Sequence, residues 1–393
     1  MKRFFIYLIL FAFVLSLAGC SENIEPSAYA DYGLTGDPDT MELRMTAVQA
    51  MRDILSIEWT PAEGISYFNT AGRDKQFDYT PGTVYGGILY SGASSGLFQF
   101  MEFYDPKTGV LTYPGSGDEL RRNIGSGCAD SLLWSWATVS NSFSCGYYPS
   151  MMVYKNGFLP VGNYTYNFEL QSYYMLPTKA IIEANGKGVI LDAYSKVLPA
   201  DALISSSVDH AMMVIENPTV VYTKEGIIDP DSSYVIIQDQ RGGSGSGFLE
   251  ENVDGRIIQY NSARSLKMTF TQLYEKNYIP VTVAEFIGQK PYDKASVALQ
   301  GGECKNLGDF VSATIEANYP IAVINISAKE TDGTTVELEK ILINSASITG
   351  PKKTYSLSSS DTAQRTDLGQ YSRIQVEVVV STGERFIPIV FNP

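Results

Sequence analysis

The sequence predicts an α+β protein in two parts: a domain of helices and antiparallel strands over residues 41–290 and a small all-β, Ig-like sandwich over residues 291–393. Two observations lead to this division. Apolar residues recur at helical spacing in several segments of the first part, whereas short runs of β-branched residues separated by turn residues dominate the second. The hydrophobic fraction of 44% is that of an ordinary globular protein.

The N-terminus has the layout of an export signal. Lys2 and Arg3 precede a short apolar run, and small residues then lead directly into Cys20. A spanning helix is the weaker interpretation, because a bilayer crossing needs about 20 apolar residues. The segment resembles a bacterial lipoprotein signal peptide, which implies removal of residues 1–19 and lipidation of Cys20 in the bacterial cell envelope. Ser21 after the cysteine, rather than an aspartate, favours the outer membrane by analogy with lipoprotein sorting.

The charge of the chain limits its partners. The formal net charge is −14, and removal of Lys2 and Arg3 with the signal makes the mature chain more acidic. Such a surface argues against nucleic acid as a partner and against electrostatic attachment to anionic lipid. Residues 20–40 are rich in Ser, Glu, Asp, Pro and Gly, so we expect a flexible tether between the lipid and the fold.

The region before residue 128 is expected to support a site. Residues 41–59 carry apolar side chains at helical intervals and predict an amphipathic helix. Residues 77–113 are dense in Gly, Tyr and Phe, which either line a cleft or form turns and core. Residues 118–122 predict a short helical turn.

Cys128 is the main candidate nucleophile. Small residues precede it, and Leu132, Leu133 and Trp136 follow at helical spacing, so the cysteine falls at a helix N-terminus. The unpaired N–H groups and the dipole at such an end favour the thiolate, which is the reactive form of cysteine. A buried structural cysteine, or a disulfide to Cys145, is the alternative interpretation.

The counts of cysteine and histidine narrow the chemistry. With Cys20 lipidated, three cysteines remain, so at least one of Cys128, Cys145 and Cys304 is unpaired within the chain. His210 is the only histidine, which excludes zinc sites that need several histidines. Any histidine-based catalysis must use this residue, and no metal or cofactor is expected.

The segments after Cys128 complete a catalytic order. Residues 178–197 predict a helix broken at 186–188, and His210 opens a predicted strand that is followed by strands at 222–224 and 234–240. A thiol nucleophile needs a base within hydrogen-bond reach, and the imidazole needs a third group to orient it. Gln238 and Gln240 share one face of their strand while Asp239 points to the other, and we expect either glutamine to orient His210.

These motifs, in this order, resemble the NlpC-type and CHAP-type branch of papain-fold cell-wall hydrolases. Tyr85–Tyr90 resembles a glycine-containing stretch that ends in a cleft tyrosine, and the Cys128 segment resembles the nucleophile helix. Residues 198–203, the His210 strand and residues 237–240 resemble the elements that follow, over roughly residues 42–290 in all. Gly127, Ala129, Ala200 and the neutral third residue depart from the branch pattern.

The resemblance implies a papain-like fold and a lipid-anchored cysteine peptidase or amidase that cleaves peptidoglycan peptides. It implies Cys128 and His210 as catalytic residues, with Gln238 or Gln240 as the third, and no cofactor. Tyr90, Trp134 and Asp209 are the expected substrate-binding residues. The departures leave open a catalytically silent envelope lipoprotein that binds glycan or peptide in the same cleft.

The C-terminal part contains no cluster of catalytic residue types. Its strand-like segments are separated by turn residues and lie at 310–316, 321–328, 335–343, 373–380 and 385–391. Binding, spacing and covering the cleft are all compatible with this pattern, and its protein partner is not indicated.

Overall fold

The computed structural model describes residues 38–69, 75–141, 152, 158–165, 177–241, 248–344 and 353–393. The predicted export signal, Cys20, most of the predicted tether and Cys145 lie outside these ranges. The described part is α+β, as the sequence predicts. Its α-helices are α1 (Pro38–Ser56), α2 (Leu97–Met101), α3 (Gly117–Asn123), α4 (Cys128–Trp136), α5 (Thr178–Asn185), α6 (Lys187–Tyr194), α7 (Phe270–Glu275) and α8 (Leu307–Ser312). Within these ranges, no helix combines the length and apolar character that crossing a bilayer requires.

Fourteen strands precede residue 290 in the described chain. They are β1 (Glu58–Pro61), β2 (Ile65–Asn69), β3 (Lys75–Tyr79), β4 (Val84–Gly86), β5 (Tyr104–Asp105), β6 (Val110–Leu111), β7 (Phe158–Pro160), β8 (Ala202–Ser205), β9 (His210–Val214), β10 (Tyr234–Gln240), β11 (Leu249–Val253), β12 (Arg256–Tyr260), β13 (Ser262–Thr269) and β14 (Ile279–Val283). A 3₁₀ turn, Ala284–Ile287, follows β14.

Two six-stranded sheets and a hairpin organise these strands. The central sheet has the order β13-β10-β9-β8-β14-β7, and every neighbouring pair in it is antiparallel. The second sheet has the order β11-β12-β4-β1-β6-β5, and β2 pairs with β3. Helices α1 and α4 contribute to the same apolar core as the central sheet, so the candidate nucleophile begins a helix that is packed in the middle of the domain.

The strand and helix predictions before residue 290 are mostly confirmed. The helix expected over 41–59 is α1, and its Ala47, Met51 and Leu55 are fully buried. The broken helix is α5 and α6, separated by Gly186 at φ +83°, a backbone conformation that glycine adopts without strain. The strand expected at 222–224 is wrong, because Tyr222 makes only an isolated bridge to Ile228.

The C-terminal part contains two sheets around a second core. The sheets have the orders β15-β16-β19 and β18-β17-β20-β21, and side chains of both enter that core. The strands are β15 (Val297–Gln300), β16 (Thr314–Ala317), β17 (Ile321–Lys329), β18 (Thr335–Leu342), β19 (Thr354–Ser356), β20 (Arg373–Val380) and β21 (Arg385–Phe391), with short 3₁₀ turns at Leu357–Ser359, Thr362–Gln364 and Leu368–Gln370. Ala322, Val323 and Val379 belong to the first core instead, so the two parts share an apolar contact.

A buried ion pair joins α1 to the turn before β8. Arg44 is 1% exposed and its Nη1 donates to Asp201 Oδ1 at 2.7 Å and to the Pro199 carbonyl oxygen at 2.8 Å. Asp201 Oδ2 accepts from the Leu198 amide at 2.8 Å. Ala200 in this turn has φ +70°, a left-handed conformation, and its carbonyl accepts from Trp136 Nε1 at 2.8 Å. The turn therefore connects α1, α4 and the central sheet.

Replacing Arg44 by methionine is expected to lower the free energy of unfolding by about 3–5 kcal/mol, because Asp201 then remains buried without its cation. Urea denaturation followed by circular dichroism measures this loss. The double variant Arg44→Met/Asp201→Asn should recover part of it, since the amide oxygen still accepts from Leu198. Arg121→Met is the matched control, because that arginine pairs with Asp118 on the surface and should change stability by less than about 1 kcal/mol. Equal losses in the two arginine variants would contradict the assignment.

Candidate active site

Helix α4 holds Cys128 at its first position. The N-cap residue Gly127 has an extended backbone, and its carbonyl accepts from the Ser131 amide at 3.0 Å, which starts the helix at the cysteine. The first-turn N–H groups of any α-helix lack an acceptor within the helix, so they point outward beside the sulfur. Cys128 carries a free thiol and is 7% exposed. The alternative partner, Cys145, lies outside the described residues.

The loop before Cys128 is fixed against residues 89–95. Ser126 forms a parallel bridge with Tyr90, and its amide donates to the Leu89 carbonyl at 3.0 Å. Gly125 has φ +101°, and a methyl group there would come within 2.4 Å of that same carbonyl oxygen. Only glycine meets both demands, so this residue determines the approach of the chain to the nucleophile.

The hairpin of β8 and β9 carries His210. Ser205 pairs with His210 across the hairpin, and Asp209 occupies a left-handed conformation at φ +49° directly before it. Such a conformation is uncommon outside glycine, although aspartate and asparagine tolerate it best. Asp209 is solvent-exposed and the His210 side chain is 15% exposed, so the imidazole is mostly covered but keeps some contact with solvent.

Cys128, His210 and Asp239 form one connected group. A hydrogen bond joins the side chains of Cys128 and His210, and His210 Nε2 lies 2.7 Å from Asp239 Oδ2. An ionised carboxylate only accepts hydrogen bonds, so Nε2 is the protonated donor in that contact. Nδ1 is therefore the ring nitrogen that remains for the sulfur. The sequence thus correctly predicts that a thiol and the sole imidazole meet across some eighty positions.

The charges within this group favour an ion pair. Burial by itself lowers the pKa of His210, but the negative charge on Cys128 and hydrogen bonds to Asp239 and Cys128 raise it to about 10. Burial likewise raises the pKa of Asp239, yet hydrogen bonds from His210 and Arg241 lower it below its ordinary value. At neutral pH the group therefore holds an imidazolium that is hydrogen-bonded to the anionic Asp239 carboxylate. A protonated histidine beside a cysteine is the arrangement that activates the sulfur in cysteine hydrolases.

The third member of this group differs from the expectation. Gln238 Nε2 donates to the Val48 carbonyl and Gln240 Nε2 to the Ile88 carbonyl, both at 2.9 Å. The expectation that one of them orients His210 is wrong. Gln238 pairs with Met213 across β9 and β10, which puts His210, three residues before Met213, on the opposite face together with Asp239. The register between the two strands, which the sequence does not reveal, decides this.

The three expected substrate-binding residues lie in different surroundings. Trp134 is 4% exposed, its Nε1 donates to the Ser94 carbonyl at 3.0 Å, and its ring lies against Gly96. It supports the 94–96 loop from inside, so the expectation of a substrate contact there is wrong. The backbone of Tyr90 lies beside Ser126, two residues before the nucleophile, and Asp209 lies in the exposed turn next to His210.

Arg241 is a member of the site that the motif order does not predict. Its Nε donates to Asp239 Oδ1 at 2.8 Å and its Nη2 to Asp239 Oδ2 at 2.7 Å. The Ala263 amide adds a third donor group, at 3.3 Å from Oδ1, and the Asp239 side chain is fully buried. Arg241 directly follows the last residue of β10, and its i, i+2 spacing from Asp239 continues the alternation of the strand, so both side chains lie on one face.

A single histidine makes the charge state directly measurable. We expect the imidazole to remain protonated through neutral pH and to deprotonate near pH 10, against an ordinary pKa of 6.5. Cys128→Ala removes the interactions with the sulfur that raise the His210 pKa, so this pKa should fall by at least about one unit. Nitrogen-15 NMR of the ring follows both titrations, and the His210 spectrum needs no assignment. A wild-type imidazole that titrates near 6.5 would contradict the ion pair.

Possible metal ligands do not form a cluster in the described chain. Among its residues, no three His, Cys, Asp or Glu side chains come together in an arrangement that could hold a metal ion. The residues that meet are those of nucleophilic catalysis by a thiol. No family model, no curated protein and no solved structure matches the chain.

Proposed function

We propose that the chain is a cysteine peptidase or amidase that hydrolyses an amide bond in cell-wall peptides. The observation that carries the proposal is the connected Cys128–His210–Asp239 group, in which Asp239 lies 2.7 Å from the imidazole. A thiol at a helix N-terminus, a base beside it and a carboxylate behind the base are the three parts that thiol hydrolysis requires. Asp239 replaces the neutral third residue that the sequence suggested.

In the first half-reaction the Cys128 sulfur attacks the carbonyl carbon of the amide. The oxyanion that forms lies near the first-turn N–H groups of α4, which offer fixed donors for its charge. Tyr90, whose backbone adjoins Ser126, belongs to the same side of the site. The imidazolium of His210 donates its Nδ1 proton to the leaving amine, the C–N bond breaks and a thioester to Cys128 remains.

In the second half-reaction water completes the hydrolysis. Neutral His210 takes a proton from water at Nδ1, hydroxide adds to the thioester carbonyl, and the C–S bond breaks to release the acid. The thiolate and the imidazolium are then restored. Asp239 accepts from Nε2 throughout, which keeps Nδ1 directed at the reacting atoms.

The finer fold and the location are part of the same proposal. A helix that begins at the nucleophile and packs on an antiparallel sheet carrying the base and the carboxylate is compatible with a papain-like arrangement. The N-terminal signal supports attachment through a lipid on Cys20, in the outer membrane of a bacterial envelope. The peptidoglycan substrate rests on the resemblance of the motifs to NlpC-type and CHAP-type hydrolases.

Defined muropeptides test the proposal. The mature chain is incubated at neutral pH with disaccharide tripeptides and tetrapeptides, and mass spectrometry detects fragments that together have gained one water. Cleavage at one amide bond that stops after alkylation of Cys128 supports the proposal. Binding of the same muropeptides without cleavage would replace it with the alternative, a silent envelope protein that binds its ligand at this site.

A further inference from the structure

We infer that Arg241 is a positioning residue of the site, which holds the Asp239 carboxylate ionised and in the orientation that directs His210 at Cys128. This inference deepens the proposed function and rests on it. The observation behind it is the fork of two hydrogen bonds from one guanidinium to both carboxylate oxygens, at 2.8 and 2.7 Å.

The first argument is geometric. A carboxylate that receives a single hydrogen bond can still rotate about its terminal torsion, whereas a bidentate guanidinium fixes the plane of both groups. Asp239 Oδ2 serves both Arg241 Nη2 and His210 Nε2, each at 2.7 Å. The guanidinium therefore sets the orientation of the carboxylate, and the carboxylate in turn orients the imidazole.

The second argument concerns charge. The Asp239 side chain is completely buried, and an ionised carboxylate in such a place requires compensating donors and cations. Arg241 is a permanent cation that is itself 27% exposed, so water solvates its outer side while its inner side serves the carboxylate. Asp239 thus keeps its charge even when His210 is neutral during the reaction.

The third argument is the position of the arginine in the fold. The Arg241 amide donates to the Asn261 carbonyl at 2.9 Å, just past the paired ends of β10 and β13. The pairing of these strands shifts between Ile237 and Asp239, where β13 carries one extra residue, and the Ala263 amide just beyond this bulge donates to Asp239 Oδ1 at 3.3 Å. Backbone pairing therefore places both members of the fork.

Two variants separate charge from orientation. Arg241→Gln removes the cation, and Arg241→Lys keeps a point charge without the planar fork. The reaction measured is alkylation of Cys128 by iodoacetamide across pH, read by mass spectrometry of the peptide that contains it. In Arg241→Gln we expect the alkylation rate at neutral pH to fall about tenfold. We also expect the acid limb of the rate–pH profile, the low-pH side on which the rate declines, to move up by about one pH unit. In Arg241→Lys the limb should stay near its wild-type position while the rate still falls.

The chain contains a matched control. Arg365 forms the same i, i+2 fork on Asp367, at 2.8 and 2.6 Å, in the C-terminal part and away from the site. Arg365→Gln should leave both the rate and the limb unchanged. A wild-type profile for Arg241→Gln would overturn the inference. A lower rate with an unmoved acid limb in Arg241→Gln would also overturn it, because that result indicates an arginine with a purely structural role. If Arg241→Gln does not fold, a wild-type rate in Arg241→Lys overturns it.

The same samples distinguish this inference from the proposed function. Alkylation requires no substrate, so its pH profile tests the Cys128–His210–Asp239–Arg241 connection alone. Shifted profiles together with absent muropeptide cleavage by the wild type would preserve the role of Arg241 and reject the hydrolase. Cleavage by the wild type together with an unshifted Arg241→Gln profile would preserve the hydrolase and reject the role of Arg241.

Discussion

Replacing Cys128 by alanine is expected to reduce muropeptide hydrolysis by on the order of 10⁵-fold or more, to the level of the background reaction. The sulfur is the only atom of the group that forms a covalent bond to the substrate in the proposed mechanism. His210 and Asp239 act through it, so their contributions are lost together with the nucleophile. The measurement is kcat/KM on the cleaved muropeptide, with enzyme concentrations high enough to define the residual rate.

Two features of this variant make the result interpretable. Alanine at a helix start preserves the backbone of α4 and removes only one sulfur atom, so thermal unfolding should change little. Cys304→Ser is the matched control, because Cys304 is a second free, buried thiol and belongs to the C-terminal core. Burial raises the pKa of Cys304 to about 11, so it is a protonated thiol at neutral pH and should not contribute. Activity that survives in Cys128→Ala would reject the site, and loss of activity in Cys304→Ser would point to the other thiol.

The sequence is sufficient for the first two members of the site because residue type limits the choice. One histidine exists in the chain, and one cysteine precedes a helical apolar pattern, so their pairing follows once a nucleophile and a base are sought. The third member requires the register of β9 against β10, a long-range property. Gln238 and Asp239 are neighbours in sequence but face opposite sides of the sheet. The resemblance favoured the wrong face, and only the pairing of Gln238 with Met213 corrects it.

The positions of Trp134 and Arg241 also depend on tertiary contacts that the sequence does not reveal. Helical spacing indicates which residues share a face, but Trp134 is covered by the 94–96 loop, which lies about forty residues earlier in the chain. Arg241 lies on the same face as Asp239 by strand alternation, but this face belongs to the site only because of the register of β9 against β10. In both cases tertiary contacts between distant segments, rather than local periodicity, decide the surroundings of the side chain.

The C-terminal part forms hydrogen bonds with the segment that carries Cys128. Ser381 Oγ donates to the carbonyl of Ala137, the C-cap of α4, at 2.5 Å, and Asn344 Nδ2 donates to the Asn123 carbonyl at 3.1 Å, just before the nucleophile loop. Gln99 Nε2 donates in the other direction, to the Ile343 carbonyl at 2.9 Å. The C-terminal part, which contains α8 and so is not all-β as expected, therefore contacts the segment that carries Cys128 on both sides of the cysteine. This favours a bracing role over that of an independent module.

Replacing Asp239 by asparagine is expected to lower kcat/KM by about 10³–10⁴-fold, with the fold retained. The amide matches the carboxylate in size but has no charge, so it no longer stabilises the imidazolium and it can present an NH₂ group to Nε2. That contact would favour the wrong tautomer, with the proton on Nδ1 and no base facing the thiol. The His210 pKa, read by ring NMR, should fall in the same variant because one of the causes that raises it is removed.

Gln238→Leu is the control that decides between the two candidate third residues. Leucine fills a similar volume but loses the hydrogen bond to the Val48 carbonyl, which should cost about 1–3 kcal/mol of stability. Because Gln238 faces away from His210, kcat/KM of the folded variant should stay within about threefold of the wild type. A collapse of activity in Gln238→Leu, with near-normal activity in Asp239→Asn, would restore the glutamine to the site and imply that the strand register differs in the working enzyme. The opposite result identifies the buried carboxylate as the group that keeps the imidazole in its productive tautomer.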